Sequence, residues 1–184
     1  MQYKHGLNTN YEDYSSGRVL YHFSGTTNFP VRLAQEIFGR CLEYSIKKEQ
    51  ICLYDCCCGA AYLLTVLGFM NQGIIDEIIG SDIEPKAIFT AKNNLSLLTY
   101  NGINQRLIEL EKLVADFNKT SHKEAIASAL KLKSLILNNN VKTSVFKANA
   151  LEPINIHRTP DIIITDVPYS NITTWKTAET GLNE

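Results

Sequence analysis

The residues with the most chemistry in them are Asp166-Val167-Pro168-Tyr169, which follow the apolar run at 161–165. An acid, a proline and an aromatic at the tip of a buried strand suit a planar, nitrogen-bearing group. The Asp166 carboxylate and the carbonyl ahead of Pro168 accept hydrogen bonds, and the proline supplies no competing N–H. The Tyr169 ring offers a flat apolar face for stacking. A second acidic strand end, Asp55-Cys56-Cys57-Cys58-Gly59, lies far upstream and gives the first a partner.

That second site reads as a nucleoside pocket. Asp55 closes the apolar run at 51–54, and the following residues through Ala60-Ala61 lead into a helix. Gly59 lets the backbone approach a ligand closely. Asp82 ends the next apolar run, 23 residues after Gly59, where an acid can take both hydroxyls of a ribose. Asp82 can equally cap a helix starting at Pro85, through Ile83-Glu84. The third run ends Ala148-Asn149-Ala150, where the Asn149 amide either meets an adenine edge or closes a turn. In an open parallel sheet, ligands bind beyond the carboxyl ends of the strands. Asp55, Cys58, Gly59, Asp82, Ile83, Asn149 and Ala150 are therefore the expected adenosyl-binding residues. A dinucleotide needs three glycines to seat its pyrophosphate on a helix N-terminus. Here there is one, and a carboxylate at Asp55 would repel phosphate. The negative charge suits the cationic amino-acid end of S-adenosylmethionine and disfavours an NAD oxidoreductase.

The elements that must position these residues are four short apolar runs, at 51–54, 77–81, 143–147 and 161–165. Helical segments separate the first three, at 60–69, 85–98, 107–117 and 121–137. A further helix is expected at 31–44, where Val31, Ala34, Phe38, Cys41 and Leu42 share a face. Ser121 and Glu124 have the spacing of a capping box. The connection at 152–159 reads as a loop with at most one helical turn. Strands alternating with helices predict an α/β fold, a Rossmann-like, doubly wound parallel sheet with a helical insertion. One domain is expected over 1–184, with an N-terminal segment and helix at 1–48 and a cofactor-binding core at 49–184. The residues after Tyr169 are polar and leave the run at 161–165 near an open edge, so the C-terminal strands of the fold are expected to be missing.

Bulk properties narrow the function classes. The chain has 184 residues, 45% hydrophobic and 20% charged, enough for one domain with a core. No apolar stretch approaches the roughly 20 residues of a membrane span, and the N-terminus lacks a secretory signal, so a cytoplasmic location is expected. The five cysteines, Cys41, Cys52 and Cys56-Cys57-Cys58, lack the spacing of a metal site and read as free thiols. A net charge of −1 argues against strong non-specific nucleic-acid binding.

Taken together the chain resembles the avilamycin-resistance 23S rRNA guanine methyltransferase family of class I S-adenosylmethionine-dependent enzymes. The resemblance runs through Gly17-Arg18-Val19-Leu20, Phe29-Pro30-Val31-Arg32-Leu33-Ala34, Cys57-Cys58-Gly59, Tyr62-Leu63-Leu64-Thr65-Val66-Leu67-Gly68, Ser81-Asp82 and Ala91-Lys92-Asn93. It continues through the insertion at 117–132 to Thr165-Asp166, Pro168-Tyr169 and Trp175. The chain departs from the family at Ala61, where the family has a second glycine, and at Asn149, where it has an aspartate. The family's domain also continues beyond Trp175.

The resemblance implies methyl transfer to a guanine of 23S rRNA, at N1, in the large ribosomal subunit, with a role in antibiotic resistance. It implies that Asp55 holds the cofactor's amino group and Asp82 its ribose. Asp166, Pro168 and Tyr169 are the implied catalytic residues: Asp166 and the Val167 carbonyl orient a flipped base, Tyr169 stacks on it, and Asp166 accepts the N1 proton. Lys4, Arg18, Arg32 and Trp175 are the candidate RNA contacts. The alternatives are a truncated or inactive methyltransferase fragment and an amino-group methyltransferase acting on DNA or protein. Val167 weakens the last, since such enzymes usually carry a proline there.

Overall fold

The computed structural model describes residues 2–24, 28–137 and 141–167. Four parallel strands, β1 (Ile51–Asp55), β2 (Ile75–Asp82), β3 (Lys142–Lys147) and β4 (Ile162–Ile163), lie in the order β3-β2-β1-β4. Five helices accompany them: α1 (Val31–Tyr44), α2 (Tyr62–Met70), α3 (Pro85–Ser96), α4 (Tyr100–Phe117) and α5 (Thr120–Leu135). The alternation of strand and helix expected from the sequence is present, and β1 to β3 fall on the expected runs.

Side-chain alternation along the strands shows how the sheet is wound. Ile51, Leu53, Ile78, Ile162 and Ile164 enter one large core with side chains from all five helices. Cys52, Tyr54 and Ile79 point to the other face, against Phe146 and against Ile156 of the segment returning from β3. Thus β1, β2 and β3 step in one direction with helices over one face, and the return to β4 crosses the opposite face. The direction of winding reverses between β1 and β4, which makes their carboxyl ends the topological switch point.

The returning segment is pinned by charge at the amino ends of the strands. Arg158 reaches Asp76 at 2.9 Å and Glu77 at 3.2 Å, and His157 reaches Glu77 at 2.6 Å. Lys47 pairs with Asp161 at 2.8 Å, and Asp161 accepts the Cys52 N–H. Among the described residues β4 is a sheet edge.

Several boundaries differ from the sequence reading. α4 begins at Tyr100 and not at 107, because the Thr99 hydroxyl accepts the Gly102 N–H and caps the helix there. α5 starts at Thr120 with no side-chain cap, so the expected capping box does not form; Glu124 pairs with Arg18 at 3.0 Å instead. α2 starts at Tyr62, since Ala61 adopts a left-handed conformation with φ 55°. α3 and α5 end at Ser96 and Leu135, each two residues early.

The N-terminal segment, aperiodic in sequence, is folded onto the helices. The buried Glu36 carboxylate of α1 accepts the N–H groups of Lys4, His5 and Gly6 and the Arg40 Nε–H. These bonds hold its pKa down to about 2 against the opposing effect of burial. Further on, Arg106 of α4 donates to the Val19 carbonyl, and Val19 and Leu20 are wholly buried.

Candidate active site

At the switch point the buried strand β1 ends in a carboxylate. Asp55 is 2% exposed, and its Oδ1 accepts the Cys57 N–H at 3.0 Å. Burial pushes its pKa up to about 6, with smaller upward effects from the nearby carboxylates of Asp82 and Asp166. Thr165, next along β1's neighbour, lies close enough to lower it. The Thr165 hydroxyl is itself buried, and among the described residues it has no hydrogen-bond partner at normal distance. A buried acid with a buried hydroxyl beside it fits a ligand that carries positive charge and N–H donors.

The turn at 56–61 is clamped from three sides. Ser81, fully buried at the end of β2, binds Tyr54 Oη at 2.7 Å and donates to the Cys56 carbonyl, while its own carbonyl accepts the Cys58 N–H at 2.9 Å. Gly59, at φ 52°, gives its N–H to Asp82 Oδ2 at 2.7 Å. Asn94 of α3, fully buried, donates to the carbonyls of Ala60 (2.9 Å) and Tyr21 (3.0 Å) and accepts the Tyr21 N–H (2.7 Å). Cys58 fits because Gly80 has no side chain: a Cβ there would lie 3.0 Å from the Cys58 Sγ. The Cys58 thiol is pushed well above its usual range and that of Cys57 to about 12, chiefly by burial in both cases. Both are neutral packing groups and not nucleophiles. All five cysteines are unbridged.

The remaining expected cofactor residues divide. Asp82 does what both readings of the sequence called for in part: it ends β2 at the pocket, and its Oδ1 also accepts the Glu84 N–H at 2.9 Å. Each Asp82 oxygen accepts one of these bonds and keeps further acceptor capacity. Ile83 lies half-buried in the turn between β2 and α3, and Ala150 half-buried after β3. Asn149 is committed to a turn: its Oδ1 accepts the Leu151 N–H at 3.0 Å and its Nδ2 donates to Glu152 at 3.0 Å. The turn role, left open by the sequence, is the one the structure displays. Asp166 is half-buried just past β4, near enough to Asp55 to raise its pKa. Pro168, Tyr169 and Trp175 lie outside the described residues.

The three basic residues expected at RNA are occupied within the chain. Lys4 pairs with Glu43. Arg18 bridges Glu12 (2.8 Å) and Glu124 (3.0 Å) with its side chain 18% exposed. Arg32 donates to the Gly6 carbonyl at 3.1 Å and lies 4.2 Å from the Tyr3 ring centre. Their physical work is to fasten the N-terminal segment.

A parallel α/β sheet with acids at its switch point and a single-glycine turn defines a Rossmann-like methyltransferase domain. Comparison with known proteins makes this specific. A family model for the rRNA methyltransferase AviRa matches residues 1–183. A 23S rRNA (guanine(2535)-N(1))-methyltransferase of Streptomyces viridochromogenes is 35% identical over 171 residues, covering 89% of this chain and 68% of that protein. Two solved structures of the rRNA methyltransferase aviRa from Streptomyces viridochromogenes superpose with TM-scores of 0.87 and 0.86, at 32% and 33% identity. They match over 92% and 96% of this chain and 71% and 74% of theirs. The chain belongs to the AviRa family of rRNA methyltransferases.

Proposed function

We propose that the chain transfers a methyl group from S-adenosylmethionine to N1 of a guanine in 23S rRNA, within the large ribosomal subunit. The observation that carries this reading is the buried Asp55 carboxylate at the switch point, beside the buried Thr165 hydroxyl and the Gly59–Asp82 clamp. When bound, the cofactor supplies a methyl group already activated by a sulfonium. The chain's own residues have to bind, orient and manage one proton. Asp55 and Thr165 hold the ammonium end. Asp82 takes the ribose hydroxyls through its spare lone pairs, and Ile83 and Ala150 line the base pocket. Asp166 meets the guanine edge and accepts the N1 proton, with Pro168 and Tyr169 completing the base site. The base has to leave its stack to reach them.

The test is methyl acceptance. Labelled S-adenosylmethionine is offered with a 23S rRNA transcript, with double-stranded DNA and with a protein extract, using the chain and its Asp55→Asn variant. Label in the rRNA, recovered as 1-methylguanosine and absent with the variant, is the expected result. Label in DNA or protein instead would sink the reading.

A further inference from the structure

The α4–α5 hairpin carries a cluster that the carboxylate site does not use. Phe117 closes α4 and is 60% exposed. Asn118 takes a left-handed conformation at φ 47° and gives its N–H to the Val114 carbonyl, so the chain turns at once into α5. One turn on, the His122 ring meets Phe117 edge to face, with centroids 6.1 Å apart. Its Nδ1 lies 3.1 Å from the Leu113 carbonyl, which fixes the imidazole. The Lys119 ammonium lies 5.8 Å from the Phe117 ring centre. A lone exposed phenylalanine is ordinary. One propped by an imidazole, with the Lys119 ammonium near its ring, is a stacking platform beside a phosphate-seeking charge.

Charge and position support a single kind of partner. Residues 119–133 hold Lys119, Lys123, Lys131 and Lys133 against one acid, Glu124, in a chain whose net charge is −1. Glu124 is neutralised by Arg18, and Lys131 by Asp13. Among the described residues Lys119, Lys123 and Lys133 make no ion pair. The open end of the hairpin is closed by Tyr100 donating to the Ile136 carbonyl at 2.9 Å, just before α5 feeds β3. Its tip therefore lies toward the carboxyl ends of the strands, where Asp55 and Asp82 are. Midway along α5, Ser128 donates to Asp13 at 2.6 Å, and the neighbouring Tyr14 carbonyl accepts from Tyr62 at the start of α2. Ser128 is thus tied, through Asp13 and Tyr14, to the start of α2 just after the turn at 56–61, and Lys119 stands about 13 Å further along the helix axis.

We propose that this tip is an RNA-docking element, stacking an unpaired base on Phe117 and holding the flanking phosphates with Lys119 and Lys123 while the guanine occupies the carboxylate site. The proposal rests on the rRNA methyltransferase reading and assigns the polynucleotide contacts to α4 and α5 in place of Lys4, Arg18 and Arg32.

The test uses the full chain, a 23S rRNA transcript, and the variants Phe117→Ala, Phe117→Trp and Lys119→Gln with Lys123→Gln. KM, kcat, filter binding and S-adenosylmethionine affinity are measured separately. Phe117→Ala is expected to raise the transcript's KM and Kd roughly tenfold, with Phe117→Trp restoring both. The double lysine variant is expected to lower the slope of log K against log salt by about 1.4. Cofactor affinity, and kcat at saturating RNA, should stay within about twofold of the parent, a margin well under the tenfold step of 1.4 kcal/mol. Unchanged KM, Kd and salt slope in variants of a chain that does methylate the transcript would overturn the hairpin and leave the methyltransferase reading intact. A parent chain that neither binds nor methylates the transcript would overturn both.

Discussion

Asp55, the proposed cofactor anchor, shows what burial does to a carboxylate. A carboxylate sealed from water is disfavoured as an anion, and here its pKa rises from 3.8 to about 6. A raised folded-state pKa means that the stability tied to the protonated form is present below pH 3.8 and is lost as the pH climbs through 6. At neutral pH the buried charge costs about 3 kcal/mol, from roughly two pKa units at 1.36 kcal/mol each. Asp55→Asn keeps the acceptor for the Cys57 N–H and removes the charge. The expected outcome is a more stable protein at pH 7, by up to about 3 kcal/mol in urea unfolding, with a flatter profile between pH 4 and 6. That variant should also lose S-adenosylmethionine binding in calorimetry. In the parent, affinity should weaken about tenfold for each pH unit below 6 as the carboxyl takes up its proton. A variant that is less stable and still binds the cofactor would contradict the assignment. The strand-end positions of Asp55 and Asp82 are legible in sequence because each acid closes an apolar run, although the run alone leaves Asp82 a capping role as well. Asn94 is not legible: its partners are backbone groups of Tyr21 and Ala60, and nothing in a helical stretch announces contacts 73 and 34 residues away.

At the scale of elements, the site depends on how firmly the turn at 56–61 is held against β2 and α3. Asn94→Ala strips the buried Tyr21 and Ala60 backbone groups of their partners. It is expected to cost about 2–4 kcal/mol by chemical denaturation and to weaken cofactor binding with it. Gly80→Ala acts on the other side of the turn, where the added Cβ would sit 3.0 Å from the Cys58 Sγ and 3.2 Å from Leu64. The expected outcome is a several-fold loss of cofactor affinity with a stability loss of about 1–2 kcal/mol. Unaltered affinity would mean that Cys58 does not help shape the pocket. Strand positions were readable because β1 and β2 are buried on both faces and appear as short apolar runs. Helix starts were harder: the sequence offers a capping box at Ser121 while Glu124 pairs with Arg18 instead, and the Thr99 cap starts α4 ahead of the expected 107.

Across the whole molecule, a nearly neutral chain pairs many of its charges and groups others. Carboxylates gather at the strand ends, and lysines outnumber acids along α5. A net charge of −1, being a sum over the sequence, does not show the local excess of lysine on α5. The N-terminal segment was opaque in the sequence because its order comes from distant partners, among them the buried Glu36 carboxylate, Asn94 and Arg106. Glu36 has a lowered pKa, so the stability it contributes is present above pH 4.5 and is lost as the pH falls toward 2. Glu36→Gln should therefore unfold in acid with a flatter pH dependence than the parent, read by circular dichroism, and an identical acid transition would remove Glu36 as the anchor. The most direct test of the central claim is primer extension on 23S rRNA treated with the chain and S-adenosylmethionine. A methyl group on guanine N1 displaces the proton used in base pairing, so reverse transcriptase should stop at one guanine, and the stop should vanish with Asp55→Asn or without cofactor. Read-through along the whole transcript, from a chain that binds the cofactor, would contradict it.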